Sequence, residues 1–142
     1  YSFVEDYYAV VSDVYNKTKC HIIGHFDLIT KFNRERDLFD PNHPRYIAAA
    51  QKALTALLDA PAILEVNTGA ISRGYRTAPY PTLTLMKHFK EMDFLPVITS
   101  DCHQKEFLDC NFDDARELLK SVGFDRIYVL TEDGFIPDKI GG

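Results

Sequence analysis

The 142-residue chain is 46% hydrophobic and 26% charged, with a formal net charge of -5. That length allows one domain with a real core and is too short for two ordinary ones, so residues 1–142 are expected to form a single compact unit. The acidic balance argues against a general nucleic-acid or membrane-surface binder, because those roles need a Lys/Arg-rich face.

In chain order, residues 3–15 place Val4, Tyr7, Tyr8, Val11 and Val14 or Tyr15 at spacings of three and four, which predicts a helix with one buried stripe. The chain starts inside this helix without an initiator Met, so an earlier part of the protein is expected to be missing. A short apolar run at 20–26 is the first strand. Pro41 and Pro44 punctuate a loop, and 46–58, rich in Ala, Leu, Gln and Lys, reads as a helix that Pro61 stops. Residues 62–68 form a short buried strand and 69–81 a long loop. A helix at about 82–92 and a strand at 96–100 follow. Residues 111–121 read as a helix with Asn111 as N-cap and Gly123 as its stop. The last strand is 126–130, after which the Asp133-Gly134 turn folds the tail back as a hairpin.

Strands alternating with helices predict an α/β fold with a largely parallel sheet, since each parallel return needs a crossover. Four such units suit part of a barrel or a small open sheet. No apolar run reaches the roughly 20 residues of a membrane span, and no secretory pattern opens the chain. Cys20, Cys102 and Cys110 form no C-x-x-C pair, which suits a reducing, cytoplasmic setting.

Three of the strands end in polar residues that do not belong in a core: His25 with Asp27, Glu65 with Asn67, and Asp101 with His103. In extended backbone, residues two apart point to the same side, and parallel strands carry all their C-terminal ends at one edge of the sheet. The three pairs are therefore expected to converge. Histidine and carboxylate are ligands for zinc, manganese or iron. Each residue also has an ordinary structural alternative: His25 as a hydrogen-bonded strand-end residue, Asp27 as a loop brace, Asp101 as a cap, and Glu65 as partner to a basic side chain. The coincidence of three strand ends favours the functional reading over the separate structural ones.

In the long loop, Arg73 and Arg76 follow the second strand, and a guanidinium can hold phosphate oxygens bidentately. Lys31, just beyond Asp27, is a weaker candidate. The three cysteines read as small buried fillers, and His21, His43 and His88 as structural or solvated. There is no Gly-rich phosphate loop and no Ser/His/Asp signature.

The stretch from Gly24 through His25, Phe26 and Asp27 to Thr30, the stretch from Leu64 and Glu65 to Gly69 continuing through Arg73 and Arg76 to Pro81, and Ser100 to His103 together resemble a bacterial PHP-type (polymerase and histidinol phosphatase) histidinol phosphatase over nearly the whole chain. That resemblance implies a distorted seven-stranded (β/α) barrel, of which residues 1–142 would be the C-terminal portion, with two or three divalent metals at the C-terminal face of its strands. It implies His25 as a ligand of one ion, Asp101 of another and His103 of the third, with Asp101 and His103 also catalytic and Arg73 and Arg76 on the phosphate. The H-x-H pair of the first strand, further histidines and the bridging Glu of the family's N-terminal half are not in this sequence, and Glu65 does not take over the bridging role.

The implied reaction is metal-dependent hydrolysis of L-histidinol phosphate to L-histidinol and phosphate, in histidine biosynthesis. The expected ligand is thus a small phosphate monoester, with no nucleic acid and no membrane. With so few metal ligands, the chain alone is expected to bind metal weakly or not at all and to be inactive, and its exposed sheet edges favour homo-oligomers. The alternatives are a PHP phosphoesterase for another phosphate, and a non-catalytic fragment or assembly module.

Overall fold

The computed structural model describes residues 1–31 and 33–141, with Arg34 described in its backbone alone. Helix α1 (Ser2–Ser12) and the short α2 (Val14–Thr18) lead into strand β1 (Ile22–Ile23). A 3-10 turn at Leu28–Thr30 and α3 (Asn33–Arg36) precede α4 (Pro44–Leu57). Then come β2 (Ile63–Asn67), α5 (Gly69–Ser72), α6 (Leu83–Glu91), β3 (Val97–Thr99), α7 (Phe112–Val122), β4 (Arg126–Thr131) and β5 (Gly134–Lys139). The five strands form one sheet in the order β1-β2-β3-β4-β5, parallel as far as β4 and antiparallel between β4 and β5. The chain is therefore α/β with a mostly parallel sheet. Consecutive strand order is common to a section of a (β/α) barrel and to a small open sheet.

Local chemistry explains where the elements differ from the sequence reading. The helix expected over 3–15 breaks at Asp13, whose carboxylate accepts from Asn16 (3.1 Å) and pairs with Lys17 (3.2 Å), so the helix restarts there. Of its expected stripe, Val4 and Tyr8 are buried, and Tyr7, Val11, Val14 and Tyr15 pack at the core margin. Helix α4 begins two residues early because Pro44 occupies its first turn and the His43 side chain accepts from the Arg45 N–H at 3.1 Å. Asn111 stands at the start of α7 in a left-handed conformation (φ 59°), and its side chain reaches Asp114 instead of a backbone N–H. Gly123 ends that helix with φ 110°, as expected. The tail hairpin forms as read, closing between Thr131 and Gly134.

The helices build one side of a continuous core. Helix α1 packs on α4, α4 on α6, and α6 on α7, which also meets β3. Tyr8, Tyr46, Phe26, Leu54 and Phe89 are all buried to within 1% of full exclusion, and the Tyr8 hydroxyl donates to Tyr46 at 2.8 Å. Buried tyrosines need such a partner, and here each supplies the other's. Because this core holds the helix side of the sheet, the loops after β1, β2 and β3 are left together at one edge. No helix among the described residues is long and apolar enough to cross a membrane.

Candidate functional site

The C-terminal ends of β1, β2 and β3 surround a cavity of about 380 Å³ whose lining includes His25, Lys31, Asn67, Arg73, Asp101 and His103. Leu28, Ala70, Tyr75 and Tyr80 are the more apolar residues of its lining. Three separate strand-end segments thus deliver side chains to one place, as the sequence pattern suggested. Two of them do so from strained backbone. His25 has φ 30° and Asp101 φ 43°, left-handed conformations that non-glycine residues adopt at a cost and that concentrate at functional sites.

The turn at His25 also parts residues that strand alternation would pair. Strand β1 stops at Ile23, so His25 faces the cavity while Asp27 is fully buried, its Oδ2 accepting from the Thr82 backbone N–H at 2.8 Å. Asp27 is thus a brace between two loops rather than a cavity group. Within β2 the backbone is still extended, and Glu65 and Asn67 share a side: the Asn67 amide donates to Glu65 Oε2 at 3.1 Å. Both Glu65 oxygens are engaged. Oε2 also accepts from the His25 N–H at 2.6 Å, and Oε1 accepts from the Thr99 hydroxyl at 2.5 Å. Glu65 therefore ties β1, β2 and β3 together beneath the cavity, in place of the basic partner considered for it.

Arg73 follows α5 directly and spans the cavity wall to the β3 end. Its Nη1 donates to the Asp101 carbonyl at 2.9 Å, and its Nη2 donates to Asp101 Oδ2 at 3.1 Å. The same Nη1 lies 3.0 Å from His103 Nδ1. The same Nδ1 also lies 2.9 Å from the Asp101 carbonyl oxygen, so it faces a donor and an acceptor at once and neither tautomer is selected. The approach of α5 to β3 depends on Gly69, where a Cβ would lie 2.4 Å from the Ser100 carbonyl oxygen.

Arg76 does not join Arg73. Its Nη1 donates to Thr30 Oγ1 at 2.7 Å, its Nε donates to the Ala78 carbonyl at 3.2 Å, and its guanidinium covers the Tyr80 ring at 4.2 Å. It lines a separate recess of about 250 Å³ with Thr30 and Thr82. The other histidines lie elsewhere. His43 caps α4 and stacks on Tyr1, His88 pairs with Glu91, and His21 is exposed. The three cysteines are free thiols and only partly buried. Tyr75 and Tyr80 were missed by the sequence reading because they sit in an irregular loop. That loop is anchored by Asn67 and Tyr80, whose backbones exchange hydrogen bonds at 2.8 and 2.9 Å.

Burial raises the Asp27 carboxyl to about 6 from 3.8, against the pull of the Thr82 N–H and Arg76. A folded-state value above the unfolded one stabilises the fold fully below about pH 4, and that stabilisation is lost as pH rises through about 6. The shift corresponds to about 3 kcal/mol. Asp27→Asn should therefore gain about that much relative to the natural protein between pH 4 and pH 7, checked by urea unfolding in the presence of a chelator.

As a metal centre the donor set is incomplete. Among the described residues, no three His, Cys, Asp or Glu side chains form a group able to hold a metal ion. Asp101 is ion-paired to Arg73, both Glu65 oxygens are taken by protein donors, and His103 Nδ1 faces a guanidinium. These side chains do not by themselves fit a two- or three-ion site.

No family model matches the chain. It is 28% identical over 120 residues to a Schizosaccharomyces pombe protein named "Probable histidinol-phosphatase", an alignment covering 83% of this chain and 39% of that protein. The chain thus spans about two fifths of the length of the curated relative it matches. This partial likeness points to a phosphatase at most.

Proposed function

We propose that the chain carries the phosphate-binding side of a PHP-type phosphatase site whose substrate is L-histidinol phosphate. The observation that supports it most is the meeting of His25, Arg73, Asp101 and His103 around one cavity at the C-terminal strand edge, with the backbones of His25 and Asp101 held in left-handed conformations. The similarity to the yeast protein supplies the substrate, and PHP membership would make the parallel sheet part of the family's seven-stranded barrel.

In this reading Arg73 binds the phosphoryl oxygens. Its five N–H donors exceed the contacts it makes with Asp101 and His103, and it sits where charge must be offset in an acidic protein. Hydrolysis adds a water oxygen to phosphorus and breaks the bond to the alcohol, whose oxygen must then gain a proton. The His103 imidazole is suited to pass on to it the proton that the attacking water gives up. Asp101, held in position by Arg73, is the group that would take a proton from the water. Arg76 holds the loop behind Tyr80 and does not touch phosphate.

Zinc, manganese or iron bound through His25, Asp101 and His103 would need further ligands from outside these residues. The chain alone is therefore expected to bind the monoester with little turnover. Equilibrium binding of L-histidinol phosphate, set against glycerol phosphate and a short oligonucleotide, tests the substrate. Tighter binding of either competitor overturns the choice. Rapid phosphate release by the isolated chain on addition of zinc or manganese would contradict the incomplete donor set.

A further inference from the structure

We infer that the cavity selects monoesters whose alcohol part carries a flat, uncharged ring, and that Tyr75 is the residue that reads it; this rests on the phosphate-binding role of Arg73 proposed above. The cavity, at about 380 Å³, falls in the size range of sites for small organic molecules, so it holds more than a phosphate group. Its lining mixes the polar groups of Arg73, Asp101 and His103 with the less polar Leu28, Ala70 and Tyr75.

Of the two tyrosines in the lining, only Tyr75 offers open ring surface. Tyr80 is 3% exposed and already covered by Arg76, whereas Tyr75 is 50% exposed. The ring is not on a loose tether. The chain turns at Gly74 (φ 73°), and the N–H groups of Tyr75 and Arg76 both donate to the Ala70 carbonyl, at 2.9 and 3.2 Å. A half-exposed aromatic ring on an anchored turn beside a cavity is a stacking surface.

Charge decides what stacks there. A tyrosine face attracts a cation as well as a ring, but the Lys31 ammonium lies 5.4 Å from the centre of this one. A second positive group beside it would be repelled, so a neutral ring is favoured over an ammonium. The imidazole of histidinol, uncharged above its ordinary pKa of about 6.5, is one such ring.

The test is equilibrium binding of phenyl phosphate, ethyl phosphate and phosphoethanolamine to the chain and to its Tyr75→Ala, Tyr75→Phe and Arg73→Ala variants. Phenyl phosphate is expected to bind about three- to tenfold tighter than ethyl phosphate, and phosphoethanolamine no tighter than ethyl phosphate. Tyr75→Phe should keep the ring preference. Tyr75→Ala should erase it while leaving ethyl phosphate affinity within about twofold. A preference that survives Tyr75→Ala, or strongest binding of phosphoethanolamine, overturns the inference. Equal binding of all three that Arg73→Ala abolishes would sink it while leaving the phosphate reading intact, and no binding of any monoester would sink both.

Discussion

Arg73→Ala is expected to weaken phosphate monoester binding by about a hundredfold while leaving the fold nearly as stable as before. Charge-assisted, paired hydrogen bonds to phosphate are worth about 3 kcal/mol when lost together, which corresponds to that factor. The stability cost is small because the Arg73 and Asp101 side chains are 32% and 42% exposed, and ion pairs so open to solvent contribute about 1 kcal/mol or less. Arg73→Lys should recover little, since an ammonium cannot reach Asp101 and phosphate with one planar fork. Arg76→Ala should do the opposite. It removes the bonds to Thr30 and Ala78 and the cover over Tyr80, so stability falls and monoester affinity changes by no more than about threefold. Titration calorimetry and urea unfolding of the three variants check the contrast.

Gly69→Ala is expected to cost about 3 kcal/mol or more and to abolish monoester binding. An added Cβ would stand 2.4 Å from the Ser100 carbonyl oxygen, 3.1 Å from Asp101 Cβ and 3.2 Å from Arg73 Nη1. The nearest of these is backbone and cannot swing aside, so the β3 end must move away from α5. That movement separates the groups that hold Arg73 in place. Gly74→Ala is the control. It meets nothing within 4 Å and suffers only from its φ of 73°, a strain of about 1 kcal/mol. If the two alanines behave alike, close approach at Gly69 is not what positions the site.

The sequence carried the α/β order and three strand-end clusters because both follow from short-range rules: hydrophobic periodicity, Gly and Pro punctuation, and the shared edge of parallel strands. His25, Asn67, Arg73, Asp101 and His103 were legible for that reason. Asp27 was read onto the same side as His25 because alternation assumes extended backbone, and the left-handed turn at His25 ends that assumption. Arg76 was grouped with Arg73 by proximity in the chain, but the Gly74 turn sends the two guanidinium groups to different recesses. The role of Glu65 was hidden for a different reason. Its partners are a backbone N–H forty residues earlier and a hydroxyl thirty-four residues later, pairings that only strand register creates. Tyr75 and Tyr80 carried no signal, since an aromatic in an irregular loop has no periodicity to read.

The central claim is that His25 and His103 flank a single phosphate-binding cavity. Imidazole NMR spectra of the labelled chain, which contains five histidines, titrated with unlabelled L-histidinol phosphate, test it most directly. The His25 and His103 signals should move together and saturate at one ligand concentration, with His21, His43 and His88 unmoved and with no response in Arg73→Ala. Movement of His25 without His103, equal movement of all five, or an undiminished response in Arg73→Ala would contradict it.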